Sequence, residues 1–229
     1  MRYTTRLFPC RDLEQFQRAI EKAAVKLGCT FDPKKTSANG ANTLIVERGS
    51  KGISVDGSLV VSMADFLREV SWALEGLPYL EARIQEGSHW DYSLMRGLQH
   101  LDKFSTYPQY WEGVEDPIEI LYNRGCPEML SLVFEVSVGK IDRYMRHWYS
   151  DWDPVIEDYR TKLEGKAYPN DQYPYRNYEQ LFDFVKALGF YDLDDPSRQR
   201  FEWTLELSNT GRATPPKRKT RNPFWKRRG

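Results

Sequence analysis

The feature that most restricts the fold of this chain is the close spacing of its strand-like segments. Strands are predicted over residues 43–48, 79–85, 89–95 and 98–104, and residues 2–8, which alternate weakly, are a short strand or a lead-in. Two parallel strands need a crossover of about a dozen or more residues, and these segments leave room for few such connections. The spacing therefore predicts a mostly antiparallel sheet.

Two amphipathic helices are predicted between these strands. Residues 13–27 carry apolar side chains at helical spacing, with Asp12 as the N-cap and Gly28 as the end. Residues 64–74 repeat the pattern. Both helices are expected to pack on the sheet.

Two dipeptides predict tight turns between strands. Asp56-Gly57 is a pair that tolerates positive φ, so residues 53–62 are expected to form a hairpin around it. Arg96-Gly97 is the expected turn between the last two strands of the first half. A polar, turn-rich loop is expected over residues 32–42.

After Pro117 the pattern changes to short helical segments. A final alternating segment, residues 199–207, predicts a closing strand. The predicted helices cover residues 118–123, 127–135, 138–148, 155–163 and 178–188. The predicted class is therefore α+β: an antiparallel sheet with two packed helices, then a helical region and a last strand.

These segments suggest three parts of the chain. Residues 1–110 form an α+β sheet region, and residues 111–207 form a mainly helical region with its closing strand. The two could also be one continuous domain if that strand returns to the first sheet. Residues 208–229 are predicted to be a flexible basic tail.

The formal net charge of zero hides an uneven distribution of charge. Residues 211–229 contain eight basic residues and no acidic one, out of 33 of each type in the chain. The remaining 25 basic and 33 acidic residues leave the rest of the chain at −8. The tail is therefore a candidate contact for nucleic acid, an acidic protein surface, anionic lipid or the acidic body itself.

Composition narrows the class of protein further. Aromatic residues make up 14% of the chain, which argues against a disordered protein. Three scattered cysteines without a CxxC motif fit a reducing compartment, so a cytoplasmic protein is expected. No segment has the length and apolar character of a membrane span, and no nucleotide-binding glycine motif or zinc-binding motif is present, so no cofactor or metal is expected.

One strand pair groups residues that could carry chemistry. A two-residue turn at Arg96-Gly97 would pair Ser93 with His100 and Asp91 with Asp102, and would place His89 on the same face. Two histidines, two carboxylates and a hydroxyl could bind a metal or form a Ser–His–Asp relay. The competing interpretation is the solvated face of a half-buried hairpin.

Residues 127–148 resemble a helix-turn-helix unit. The second helix would present Lys140, Arg143 and Arg146 outward, as docking in the major groove requires. The sequence departs from the motif at Glu135, which stands where the turn usually has glycine. Two short helices meeting at a corner explain the same pattern.

Residues 144–191 contain thirteen aromatic residues with acidic residues between them. Trp152, Tyr168, Tyr173 and Tyr175 are the candidate binding residues, because Tyr and Trp provide large rigid contact areas with polar tips. Such a surface is expected to bind a protein partner, and its acidic residues favour a basic one. Alternatively, the rings cap the core beneath long loops.

Residues 89–111 resemble segments of some bacterial immunity-type proteins, and the resemblance carries no residue roles. The leading functional hypothesis is a non-enzymatic protein-interaction module, of which an immunity protein or antitoxin would be one form. The alternatives are a nucleic-acid-binding protein with a helix-turn-helix-like unit and a metal-assisted or Ser/His hydrolase.

Overall fold

All eight described strands belong to one antiparallel sheet, as the sequence predicts. The computed structural model describes residues 2–33, 42–59, 61–108, 117–148, 165–191 and 198–207. The strand order is β2-β8-β3-β4-β1-β5-β6-β7, and every neighbouring pair is antiparallel. With its helices, the sheet makes the chain an α+β protein. In the described ranges, no helix has the length and apolar character to cross a bilayer.

Eight strands, five α-helices and two 3₁₀ turns make up the regular structure of the described residues. The strands are β1 (Tyr3–Phe8), β2 (Cys29–Asp32), β3 (Thr43–Arg48), β4 (Ile53–Ser58), β5 (Tyr79–Gln85), β6 (His89–Arg96), β7 (Gln99–Ser105) and β8 (Gln199–Leu207). The helices are α1 (Leu13–Lys26), α2 (Met63–Ala73), α3 (Pro117–Tyr122), α4 (Pro127–Phe134) and α5 (Gln180–Ala187). The 3₁₀ turns span Val138–Lys140 and Asp142–Tyr144.

Helix α1 begins and ends close to the positions that the sequence predicts. The Asp12 side chain accepts a hydrogen bond from the backbone N–H of Gln15 at 3.0 Å, which satisfies a donor of the first turn. Phe16, Ile20 and Ala23 are buried at helical spacing. The spacing places one apolar face of α1 against the sheet.

The sheet has a separate hydrophobic core on each face. Helices α1 and α2 cover one face, and their apolar side chains pack on those of β1, β3, β4 and β8. On the opposite face, α4, α5 and the segment between residues 141 and 148 pack against β1, β5, β6 and β7. Each helical layer therefore covers a different half of the sheet.

The last strand is central to the first half of the sheet. β8 pairs with β2 on one side and with β3 on the other. Residues from both predicted regions, 1–110 and 111–207, thus contribute to the same sheet, and both contribute to the second core. The division into two regions and the single-domain alternative both stay predictions, which the unfolding of the full chain can test.

Two local predictions in the first half are wrong or incomplete. Asp56-Gly57 does not form a turn: β4 runs through both residues, and the β3–β4 connection is the short loop of residues 49–52. Gly57 has a φ of +130°, and a Cβ there would lie 2.1 Å from the carbonyl oxygen of Thr43. Glycine at this position therefore allows β3 and β4 to approach each other closely. The short strand β2 was not predicted.

Three predictions lie outside the described residues. They are the helix over 155–163, most of the loop over 32–42 and the tail over 208–229.

Candidate functional site

The β6–β7 hairpin has a different register from the predicted one. Arg96 pairs with Gln99, so the two turn residues are Gly97 and Leu98. A bulge between Leu94 and Met95 then shifts the pairing again, and Leu94 lies opposite Asp102. Paired residues point to the same face of a sheet, so Asp102 lies on the apolar face with Leu94.

Three of the five predicted site residues share the opposite face, which is polar. His89, Asp91 and Ser93 alternate along β6 and are 1%, 6% and 9% exposed. His89 and Ser93 are four residues apart, about 13 Å along a strand, which is too far for a hydroxyl–imidazole hydrogen bond. The predicted Ser–His relay is therefore not formed between these two residues.

The other two predicted residues lie elsewhere. His100 pairs with Met95 and is exposed. Asp102 accepts hydrogen bonds from the Tyr92 hydroxyl at 2.7 Å and from the backbone N–H of Cys126 at 2.9 Å. Asp102 therefore joins β7 to the start of α4. Within the described ranges, no three His, Cys, Asp or Glu side chains are grouped so that they could hold a metal ion.

Asp91 belongs to a chain of alternating charges across three strands. Arg6 on β1 contacts Glu81 on β5 at 3.1 Å, and Glu81 contacts Arg83 at 3.7 Å. Arg83 in turn contacts Asp91 at 2.6 Å, and the Gln85 amide donates to the same carboxylate at 3.1 Å. Burial raises the pKa of Asp91, while Arg83 and Gln85 oppose that rise. The only sequence signal for these partners was the polar alternation of β5.

The second candidate region, residues 127–148, does not form a helix-turn-helix. Its first helix is α4, and Glu135 follows it with a φ of 53°, in the left-handed region that usually favours glycine. The predicted helix over 138–148 is wrong, because two 3₁₀ turns replace it. Ile141, Tyr144 and Trp148 are buried, as expected of that pattern. Apolar residues three apart lie on one side both of an α-helix and of successive 3₁₀ turns, so the spacing of these residues could not distinguish the two structures.

The candidate residues of two separate hypotheses meet on one surface. We call residues 140–146 and 165–176 the cationic tyrosine surface. The guanidinium of Arg143 lies 5.4 Å from the ring centre of Tyr168, and that of Arg146 lies 5.9 Å from the ring centre of Tyr175. The Tyr175 hydroxyl also donates to the backbone carbonyl of Arg143 at 2.8 Å. These contacts hold the two segments together.

The acidic groups of this surface accept hydrogen bonds from tyrosine hydroxyls. Tyr168 donates to Asp142 and Tyr144 donates to Asp171, each at 2.6 Å. Burial is the main cause that raises the pKa of both tyrosines, and the carboxylates add to it, so both phenols stay protonated and keep donating at neutral pH. The surface contains five basic and two acidic residues, so it is positive within an acidic body.

The aromatic residues of the described part are divided between surface and core. Tyr144, Trp148 and Tyr175 are buried, whereas Tyr168 and Tyr173 are half-buried. The ring of Tyr173 lies 6.4 Å from that of Phe182, and its backbone N–H donates to Asp183. Trp152 lies outside the described residues.

No family model, curated protein or solved structure matches this chain.

Proposed function

We propose that the protein is a binding module that docks an acidic segment of a partner protein on the cationic tyrosine surface. One observation carries the proposal. Arg143 and Arg146 lie over Tyr168 and Tyr175, so arginine and tyrosine, two residue types enriched in interfaces, occur there as ordered pairs. Stacking restricts the arginines before a partner arrives, which lowers the entropy cost of binding.

Three exposed basic side chains of this surface support an acidic partner. Lys140, Arg143 and Lys166 are exposed, and no described carboxylate lies within ion-pairing distance of them. Charged donors without a described carboxylate beside them attract an acidic segment and orient it.

The described acids of this region have other roles. Asp171 accepts hydrogen bonds from Tyr144 and from the backbone N–H of Tyr168, and Asp183 accepts them from the backbone N–H groups of Gln172 and Tyr173. Because these carboxylates stabilise loops, they add little to the attraction of a basic partner. The basic partner expected from the sequence, and with it an antitoxin that masks a basic toxin, gains no support from these contacts.

The experiment measures binding of the full chain to a fluorescently labelled oligoglutamate peptide at low salt. We expect Arg143→Ala to weaken binding by about tenfold or more, because a charge-assisted hydrogen bond contributes about 1.5–3 kcal/mol. Lys22→Ala is the matched control, since Lys22 is an exposed lysine on α1, far from this surface in the sequence. The tail is present in all three proteins, so its contribution cancels.

Two outcomes would contradict the proposal. Equal affinities of Arg143→Ala, Lys22→Ala and the unaltered chain would show that the surface does not take part. Tighter binding of an oligothymidylate of equal charge than of the peptide, with the same loss in Arg143→Ala, would favour the nucleic-acid alternative.

A further inference from the structure

A pocket opens on the polar face of the sheet, between β5, β6 and β7. Its cavity volume is about 30 Å³, and Arg83, Asp91, Ser93, Lys103 and Ser105 lie along its wall. Ser93 pairs with Lys103, and Asp91 pairs with Ser105, so these four side chains point to the same face in two adjacent rows.

The charges around the pocket do not cancel. Arg6, Glu81, Arg83 and Asp91 form the ion-pair chain described above, and its two positive and two negative charges balance. Lys103 has no carboxylate of the described residues within ion-pairing distance. The described residues of the pocket wall therefore carry a surplus of one positive charge.

Hydroxyl groups lie on both sides of this lysine. Ser93 is only 9% exposed, and its hydroxyl makes no hydrogen bond with the described residues. Ser105 is 8% exposed, and its oxygen accepts a hydrogen bond from the backbone N–H of Tyr107 at 3.2 Å, which leaves its proton to be donated. Both hydroxyls can therefore donate a hydrogen bond to a ligand in the pocket.

We infer that this pocket binds a carboxylate group. The ammonium of Lys103 balances the single negative charge, and the hydroxyls of Ser93 and Ser105 donate to the carboxylate oxygens. A phosphate dianion suits the pocket less well, because only one positive charge is in surplus and Asp91 would repel the second negative charge. The carboxylate could belong to a small organic acid or to the C-terminus of a peptide. This inference is independent of the cationic tyrosine surface.

The test is a titration of the ¹⁵N-labelled full chain with acetate at constant ionic strength, followed by amide chemical shifts. We expect saturable shifts at Ser93, Lys103 and Ser105, and none with acetamide, which has a similar shape but no charge. Lys103→Met should weaken acetate binding by about tenfold or more, whereas Lys22→Met, at an exposed lysine on α1, should not.

A second arm separates the two sources of the carboxylate. A dialanine peptide with a free C-terminus is compared with its C-terminal amide. Tighter binding of the free peptide than of acetate assigns the pocket to peptide C-termini, and equal or weaker binding assigns it to small acids.

Three results would overturn the inference. They are the absence of saturable shifts up to about 100 mM acetate, equal shifts with acetamide, and unchanged acetate binding in Lys103→Met. Ser93→Ala keeps the strand and removes one donor, so it should weaken acetate binding in a chain whose amide spectrum is otherwise unchanged. Its failure to do so would exclude the serine from the site.

Discussion

Replacement of Phe184 by alanine tests whether the helical region and the sheet are one cooperative unit. Phe184 on α5 is fully buried in the second core. Its ring centre lies 5.1 Å from that of Trp90, and 5.7 Å from those of both Tyr92 and Tyr144. Phe184 therefore connects α5 to β6 and to the segment that follows α4.

The expected loss in the free energy of unfolding is about 3–5 kcal/mol, because truncation of a buried phenylalanine removes its burial and leaves a cavity. The aromatic contacts are part of this value and are not added to it. At a urea dependence of about 2–3 kcal/mol/M, the unfolding midpoint should fall by about 1–2.5 M. Leu132→Ala is the control, because Leu132 is 78% exposed and its truncation should cost less than about 0.5 kcal/mol.

The assay follows urea unfolding by circular dichroism and by tryptophan fluorescence. Trp203 lies in the first core, and Trp90 and Trp148 lie in the second, so fluorescence reports on both faces of the sheet. We expect coincident single transitions in the unaltered chain, and a joint shift of both probes in Phe184→Ala. Two separate transitions, with only one moved by the substitution, would refute a single cooperative unit.

Two further substitutions test local features of the fold. Burial raises the pKa of Asp56, so the folded state retains the proton of this carboxyl to higher pH than the unfolded state. The protonated carboxyl therefore contributes its full share of the stability below the unfolded pKa, and that share is lost as pH rises through the folded pKa. Asp56→Asn should therefore reduce the loss of stability in urea titrations as pH rises above the unfolded pKa of about 4, and an unchanged slope would contradict this. Gly97 has a φ of +58°, and a Cβ there would lie 2.7 Å from the ring of Trp72, so Gly97→Ala should lower the free energy of unfolding by at least about 1–2 kcal/mol. The same substitution in a Trp72→Ala background should lose the steric part of that cost, and equal losses in both backgrounds would show that the ring yields freely.

Much of the architecture could be predicted from the sequence, because strong periodicity reports which face of an element is buried. The strands β5 and β6 and the helices α1, α2 and α5 lie close to their predicted positions. Periodicity could not reveal β2, because four residues are too few to establish an alternation. The turn predicted at Asp56-Gly57 is wrong, because Gly57 allows the close approach of the Thr43 carbonyl and the chain does not turn there.

The sites were harder to predict than the elements, because they depend on contacts between distant segments. The bulge beside Leu94 decides which face Asp102 occupies, and no local signal marks a bulge. The partners of Asp91 lie on another strand, and Arg143 meets Tyr168 only after two segments pack together. The sequence could identify these candidate residues but not the residues that contact them in the folded chain.

The position of β8 between β2 and β3 has a consequence for how the protein is made. Among the described strands, β2 pairs only with β8, so it has no strand partner until residues 199–207 leave the ribosome. At about 5–20 residues per second, synthesis of the intervening 174 residues or so takes roughly 10–35 s. If α1 and α2 pack during that time, they pack on a sheet that lacks the side chains of Trp203 and Leu205. The nascent chain therefore exposes an apolar sheet edge for most of its translation, and its N-terminal half is completed last.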